Sequence, residues 1–173
     1  MAEQTAPEPL RKQNHPRAVA AREKRRAEAE AAGVDAAFIS DLVDRFYERI
    51  RGDEVLGPIF GRHISDWRPH LDRMKAFWRS ILHNSAEFSG NPMQRHMAVH
   101  DTGAALGEAE FSRWLQLFYA TCNDLAAERG VAAEEARQVS ERARMIADSL
   151  LTGIATRAHG LTAARAGQGL PRP

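Results

Sequence analysis

The chain has one cysteine, Cys122, among its 173 residues. That scarcity rules out a disulfide framework, a Cys-x-x-Cys zinc site and a Cys-x-x-Cys-His attachment for a covalently held cofactor. No run of about 18 apolar residues occurs, so no membrane-spanning helix is expected. The first stretch is polar, Ala-rich and charged; it lacks the unbroken apolar segment of a secretory signal, and the cytoplasm is the expected compartment.

Charge of one sign is also missing. The formal net charge is +1, far from the clustered basic excess that a nucleic-acid surface needs. Residues 1–33 carry seven Lys/Arg against five Asp/Glu, and residues 160–173 carry two Arg and no acid, which leaves the middle mildly acidic. No stretch alternates with period two, and no repeat recurs at a fixed interval. The sequence has no Gly-x-Gly-x-x-Gly loop, no His-Glu-x-x-His zinc motif and no Glu-x-x-His pair of a di-iron bundle.

What is present is helical. A chain of this length can bury one sizeable core. Residues 1–33 form an extension: Pro7, Pro9 and Pro16 give 1–17 a composition unable to fold, and Ala18 to Ala32 are good helix formers without an apolar stripe, so a solvated helix at most is expected. The folded domain is expected over 34–159. Asp35 can cap a helix whose apolar positions Phe38, Ile39, Leu42, Val43, Phe46 and Ile50 follow helical spacing, ending at Gly52-Asp53. Leu56-Gly-Pro-Ile-Phe-Gly61 reads as a non-helical corner. Ser65 can cap the next helix, with Pro69 in its first turn and His70, Met74, Phe77 and Ile81 on one face. Pro92 opens a short helix that puts Met93, His96, Met97 and His100 on one side. Phe111, Trp114, Leu115, Phe118 and Leu125 mark a long helix closed by Gly130, and Val139 to Ile154 mark the last. Residues 160–173 are expected to be a loose tail. The class is all-α.

On spacing alone the chemistry stays open. His96 and His100 make a His-x-x-x-His pair that could grip a metal, or they could be partly exposed polar side chains. Tyr47, beside Phe46 on the apolar stripe, needs a partner for its hydroxyl if buried. Trp114 sits mid-helix where most such residues are simply core. Phe60, Phe77, Met93 and Met97 are either core or the walls of a cofactor pocket.

Four frames carry a resemblance: Phe46-Tyr47-Glu48-Arg49-Ile50, Trp67-Arg-Pro-His70 through Phe77-Trp78, Gly90-Asn91-Pro92-Met93-Gln94-Arg95-His96, and Phe111-Ser-Arg-Trp114-Leu115-Gln-Leu117-Phe118. Together they resemble the truncated haemoglobins of group III, over residues 36–157. The resemblance implies a two-over-two helical globin holding one non-covalent haem b. His96 would ligate iron, Tyr47 and Trp114 would donate hydrogen bonds to bound gas, and His70 would line the same side. Phe60, Phe77, Met93 and Met97 would be haem walls, and Trp67 and Trp78 structural positions. A tightly ligating His96 should hydrogen-bond a carbonyl through the ring nitrogen turned away from iron. The ligands implied are oxygen, nitric oxide and carbon monoxide. Redox work on bound gas, as a nitric oxide dioxygenase or a peroxidase-like protein, would require an external reductase. The rival is a haem-free helical interaction module. One departure is visible: Met97 to Arg113 is longer than the family pattern and has no proline.

Overall fold

Helices make up all the regular structure of the described residues, which are 16–104, 106–159 and 170–173 of a computed structural model. In chain order they are α1 (Pro16–Ala31), α2 (Ala36–Gly52), α3 (Leu56–His63), α4 (Trp67–Leu82), α5 (Pro92–Asp101), α6 (Glu108–Arg129) and α7 (Ala133–His159). No strand occurs among the described residues, and none of the helices is long and apolar enough to cross a membrane.

Caps written in the sequence start the core helices. The Asp35 carboxylate accepts the Phe38 N–H at 2.7 Å, and Asn91 accepts the Gln94 N–H at 3.0 Å ahead of Pro92. α4 is capped by Asp66, which accepts the Arg68 N–H at 3.1 Å. The expected cap, Ser65, is one residue too early, and the carboxylate is the stronger acceptor. At the other end of the fold Gly130 takes the left-handed conformation, φ 68°, that ends α6.

Periodicity becomes packing through α2. Phe38, Ile39, Leu42, Phe46 and Ile50 are fully buried, and α2 packs on α3, α4 and α6. α6 packs in turn on α7, its partner across a three-residue link, and α5 lies on α7. Two helix pairs, α2 with α4 and α6 with α7, therefore enclose the core. Its centre is aromatic: Trp78 stacks on Phe118 with centroids 4.8 Å apart, and Trp114 stacks on the same ring at 5.5 Å. Each such pair contributes about 0.5–1.5 kcal/mol beyond the area it buries. Ion pairs on the rim, Arg45–Glu128, Arg49–Asp124 and Arg129–Asp41, join α2 to the far end of α6. Being exposed, they contribute little each.

Three expectations are corrected. Leu56 to Gly61 is not a corner but part of α3. Pro58 is only the third residue of that helix, where a missing N–H costs nothing, and the Asp53 Oδ1 accepts the N–H groups of Val55 and Leu56 at 3.0 and 2.9 Å. Of the segment expected to be unfolded over 1–17, Pro16 and Arg17 belong to α1; residues 1–15 lie outside the described residues. The tail expected to be loose over 160–173 is docked at its end. Leu170 is buried, and the Tyr119 hydroxyl donates to the Pro171 carbonyl at 2.9 Å. Residues 160–169 lie outside the described residues.

α1 itself has no buried residue. Lys24–Glu28 and Arg26–Glu30 brace it on opposite sides, and Ala29 leans on the core. The segment between His96 and Trp114 is accounted for by α5 running to Asp101 and α6 opening at Glu108, where the Glu110 carboxylate accepts the Gly107 N–H at 2.9 Å. Ala105 is not among the described residues.

Candidate functional site

Tyr47 is reached from three elements. Its ring lies 5.1 Å from Phe46 on α2, 6.0 Å from Phe60 on α3, and 5.1 Å from the imidazole of His70 on α4, which it meets edge-on at 85°. Trp67 closes the set at 6.2 Å from Tyr47 and 5.9 Å from His70, under the guanidinium of Arg51. Trp114 joins through Phe46, whose ring edge it meets at 5.1 Å and 85°. Phe46, Phe60, His70 and Trp114, from four helices, thus gather around Tyr47 or its neighbouring ring.

The polar atoms in this cluster lack protein partners. His70 Nε2 is buried with nothing to bond, and among the described residues no group accepts from the Tyr47 hydroxyl or the Trp114 indole N–H. Burial pushes the Tyr47 phenol above its ordinary value, so it is a donor at any ordinary pH. Burial, followed by the neighbouring Arg73 and His96, holds the His70 pKa down to about 4. His70 is therefore neutral near pH 7. A buried donor or acceptor left unmatched costs about 1–3 kcal/mol. His70 Nε2 is such an atom, with the unpartnered Tyr47 hydroxyl on the neighbouring ring, a pairing suited to receive a polar ligand.

His96 stands across from His70, within electrostatic reach, on the short helix α5. Its Nδ1 is 2.8 Å from the Pro92 carbonyl oxygen. A carbonyl only accepts, so Nδ1 carries the proton and Nε2 keeps its lone pair. Burial lowers the His96 pKa, opposed by that hydrogen bond, which again favours neutral imidazole. Phe111 lies alongside, centroids 6.4 Å apart. A neutral imidazole with a fixed tautomer, within electrostatic reach of a buried His70 Nε2 that has no partner, is a donor set suited to holding a metal. The residues present fit a haem.

The remaining expected wall residues divide. Phe60 belongs to the cluster. Phe77 is half-buried and meets Trp78 and Phe88 at 5.6 and 5.1 Å. The Met93 and Met97 thioethers crowd Gly153 of α7: a Cβ there would lie 2.4 Å from the Met93 sulfur and 3.7 Å from the Met97 methyl. His100 has a buried Nδ1 with no partner, but among the described residues no third His, Cys, Asp or Glu joins it and His96 in a metal-binding group. Cys122 is buried with its thiol directed to the Ala136 carbonyl at 3.6 Å, between α6 and α7.

Sequence reading missed several participants. Trp67 lines the cluster directly, although its position read as structural. Asp53 and Arg113, sixty residues apart, form a pair at 2.7–2.8 Å beside the cluster; nothing in the local sequence signals it. His83 is buried and bonds the Val34 carbonyl at 2.7 Å, fastening the end of α4 to the chain ahead of α2.

Comparisons with known proteins give the family. Residues 29–149 match the bacterial-like globin family. A group 3 truncated hemoglobin of Campylobacter jejuni is 30% identical over 113 residues, covering 63% of this chain and 82% of that protein. The crystal structure of a group III truncated hemoglobin from the same organism superposes with a TM-score of 0.60 at 27% identity, over 69% of this chain and 91% of that one. The chain belongs to the bacterial-like globins and, among them, to the group III truncated haemoglobins.

Proposed function

We propose that this protein holds one non-covalent haem b between α4 and α5 and binds oxygen and other diatomic gases there. Bound haem would supply an iron able to take an imidazole and a gas. His96 would hold that iron through Nε2. The Pro92 carbonyl fixes the tautomer and turns the ring, which makes the nitrogen a better ligand. Tyr47 and Trp114 would offer an O–H and an N–H to the bound gas, and His70 would line the same side as a neutral side chain. Phe60 and Trp67 keep water from these donors. With Cys122 sealed between α6 and α7, no thiol is at hand for a covalent bond to the macrocycle.

The observation that carries this reading is the pairing of His96, its Nδ1 spent on Pro92, with the buried His70 Nε2 that no group among the described residues satisfies and that lies within electrostatic reach of it. A colourless recombinant protein whose absorbance does not change with added haem and carbon monoxide would overturn it; a spectrum that shifts on adding carbon monoxide supports it.

Two donors on one gas slow its release, which suits conversion of the gas better than its delivery. The donor pair therefore favours a second step, oxidation of nitric oxide to nitrate, with electrons returned by a separate reductase. Nitrate formation no faster than with free haem, when the oxygen-loaded protein is mixed with nitric oxide, would remove that step and leave gas binding intact.

A further inference from the structure

Asp53 joins three helices at one buried carboxylate. Its side chain is 3% exposed. Oδ1 accepts the N–H groups of Val55 and Leu56 that open α3. Oδ2 accepts both Nε and Nη2 of Arg113 on α6, at 2.8 and 2.7 Å, and the residue itself ends α2. Four N–H donors thus meet two oxygens, so the carboxylate is fully satisfied. Burial pushes its pKa up, but the bonds from Leu56, Arg113 and Val55 together outweigh that and hold it below the usual carboxylate range. It is ionised at neutral pH.

Where this knot lies matters more than its strength. Arg113 immediately precedes Trp114, and Asp53 caps the helix that brings Phe60 against Tyr47. Tyr47 and Trp114 stand on different helices and touch only through Phe46. The rim ion pairs between α2 and α6 fall at residues 124–129, at the other end of α6. A ring edge can slide without losing much contact energy, whereas a hydrogen-bonded carboxylate with four donors cannot.

We propose that Asp53 and Arg113 are a positioning pair: by clamping the α2–α3 junction to α6 one residue before Trp114, they set where the Trp114 N–H and Phe60 stand relative to the Tyr47 hydroxyl. The proposal rests on Tyr47 and Trp114 being the donors to bound gas. Hydrogen bonding to a small ligand falls off within a fraction of an ångström, so a pair that never touches the ligand controls how well both donors reach it.

The test compares the haem-loaded wild-type protein with Arg113→Gln, Asp53→Asn, the double variant and Tyr47→Phe. The readouts are the infrared C–O stretching band of the carbon monoxide complex, the oxygen release rate and the thermal midpoint. Arg113→Gln and Asp53→Asn should each shift or split the band and speed oxygen release at least about threefold. The double variant should do no more than the larger single change, because both remove one interaction. Arg113→Lys should restore part of the wild-type band. A lowered thermal midpoint with unmoved band and release rate in both single variants, while Tyr47→Phe moves them, would make the pair merely structural and overturn the proposal. If Tyr47→Phe leaves band and rate unchanged, the donor assignment itself fails and the proposal falls with it. Should Asp53→Asn not fold, Arg113→Gln decides alone, since it leaves both cap bonds of α3 in place.

Discussion

The Nδ1 of His96 lies 2.8 Å from the carbonyl oxygen of Pro92, one turn earlier on the same helix. That contact decides which nitrogen is free, and it explains why a proline at the first position of α5 suits the site: it opens the helix, gives up no needed N–H and lends its carbonyl to the imidazole. His96→Ala should abolish stable haem retention, with partial return when imidazole is supplied in solution. His100→Ala should keep the pigment. Absorbance after desalting checks both, and the opposite pattern would move the ligand to His100.

Tyr47→Phe separates two roles of one hydroxyl. In the haem-free protein the group has no acceptor among the described residues, so its removal should leave urea stability unchanged or raise it by up to about 1 kcal/mol. With haem and oxygen bound, loss of a partly charge-assisted bond of about 1.5–3 kcal/mol should speed oxygen release by roughly ten- to a hundredfold. A clear loss of stability in the haem-free protein would mean that the hydroxyl already had a partner.

Acid should weaken the haem-free protein in a defined window. The folded pKa of His70 sits at about 4, below its ordinary value of 6.5, so between those values the unfolded chain binds the extra proton and the folded chain does not. The stability tied to His70 is complete above pH about 6.5, declines as pH falls, and levels off below about 4. His96, also lowered, acts in the same direction. Denaturation midpoints measured from pH 7 to 4 should fall less steeply for His70→Gln than for the wild type. Parallel slopes would show that His70 titrates normally.

Gly153 is where α7 makes room for α5. A methyl group there would lie 2.4 Å from the Met93 sulfur, and because that sulfur ends a flexible side chain, the thioether should swing aside rather than the helices part. Gly153→Ala should cost about 1–3 kcal/mol, the usual cost of overpacking, and Met93→Ala in the same chain should recover part of it. Thermal unfolding of the two single variants and the double variant measures this. Simple additivity would show that the two sites do not meet.

The sequence made α2, α4, α6 and α7 legible because each buries one continuous face, and a buried face repeats every three or four residues. Asp35, Asn91, Pro92 and Gly130 were legible for a different local reason, the unpaired groups at helix ends. α3 is hidden in the sequence because Gly57 and Pro58 read as breakers, although both fall in its first turn, where the N–H groups lack helical partners anyway. Of the candidate site, Tyr47 and His70 stand in frames that the sequence displays, whereas Phe60 lies outside every frame and meets Tyr47 only because α3 folds back on α2. The Asp53–Arg113 pair, the His83–Val34 bond and the docking of Leu170 had no local signature. Each joins residues about fifty or sixty positions apart or fills a space that exists only after folding.

Helix α5 leans chiefly on α7, through Met93 at Gly153 and through Arg157, which bonds Asp101 at 2.9 Å and approaches the Met97 sulfur at 3.8 Å. The stiffness felt by His96 is accordingly borrowed from the closing turns of the last helix, while Tyr47 and His70 are anchored on the opposite pair. Each face of the site has its own foundation, so evolution or an engineer can retune how firmly His96 is held without disturbing the side where the gas would sit.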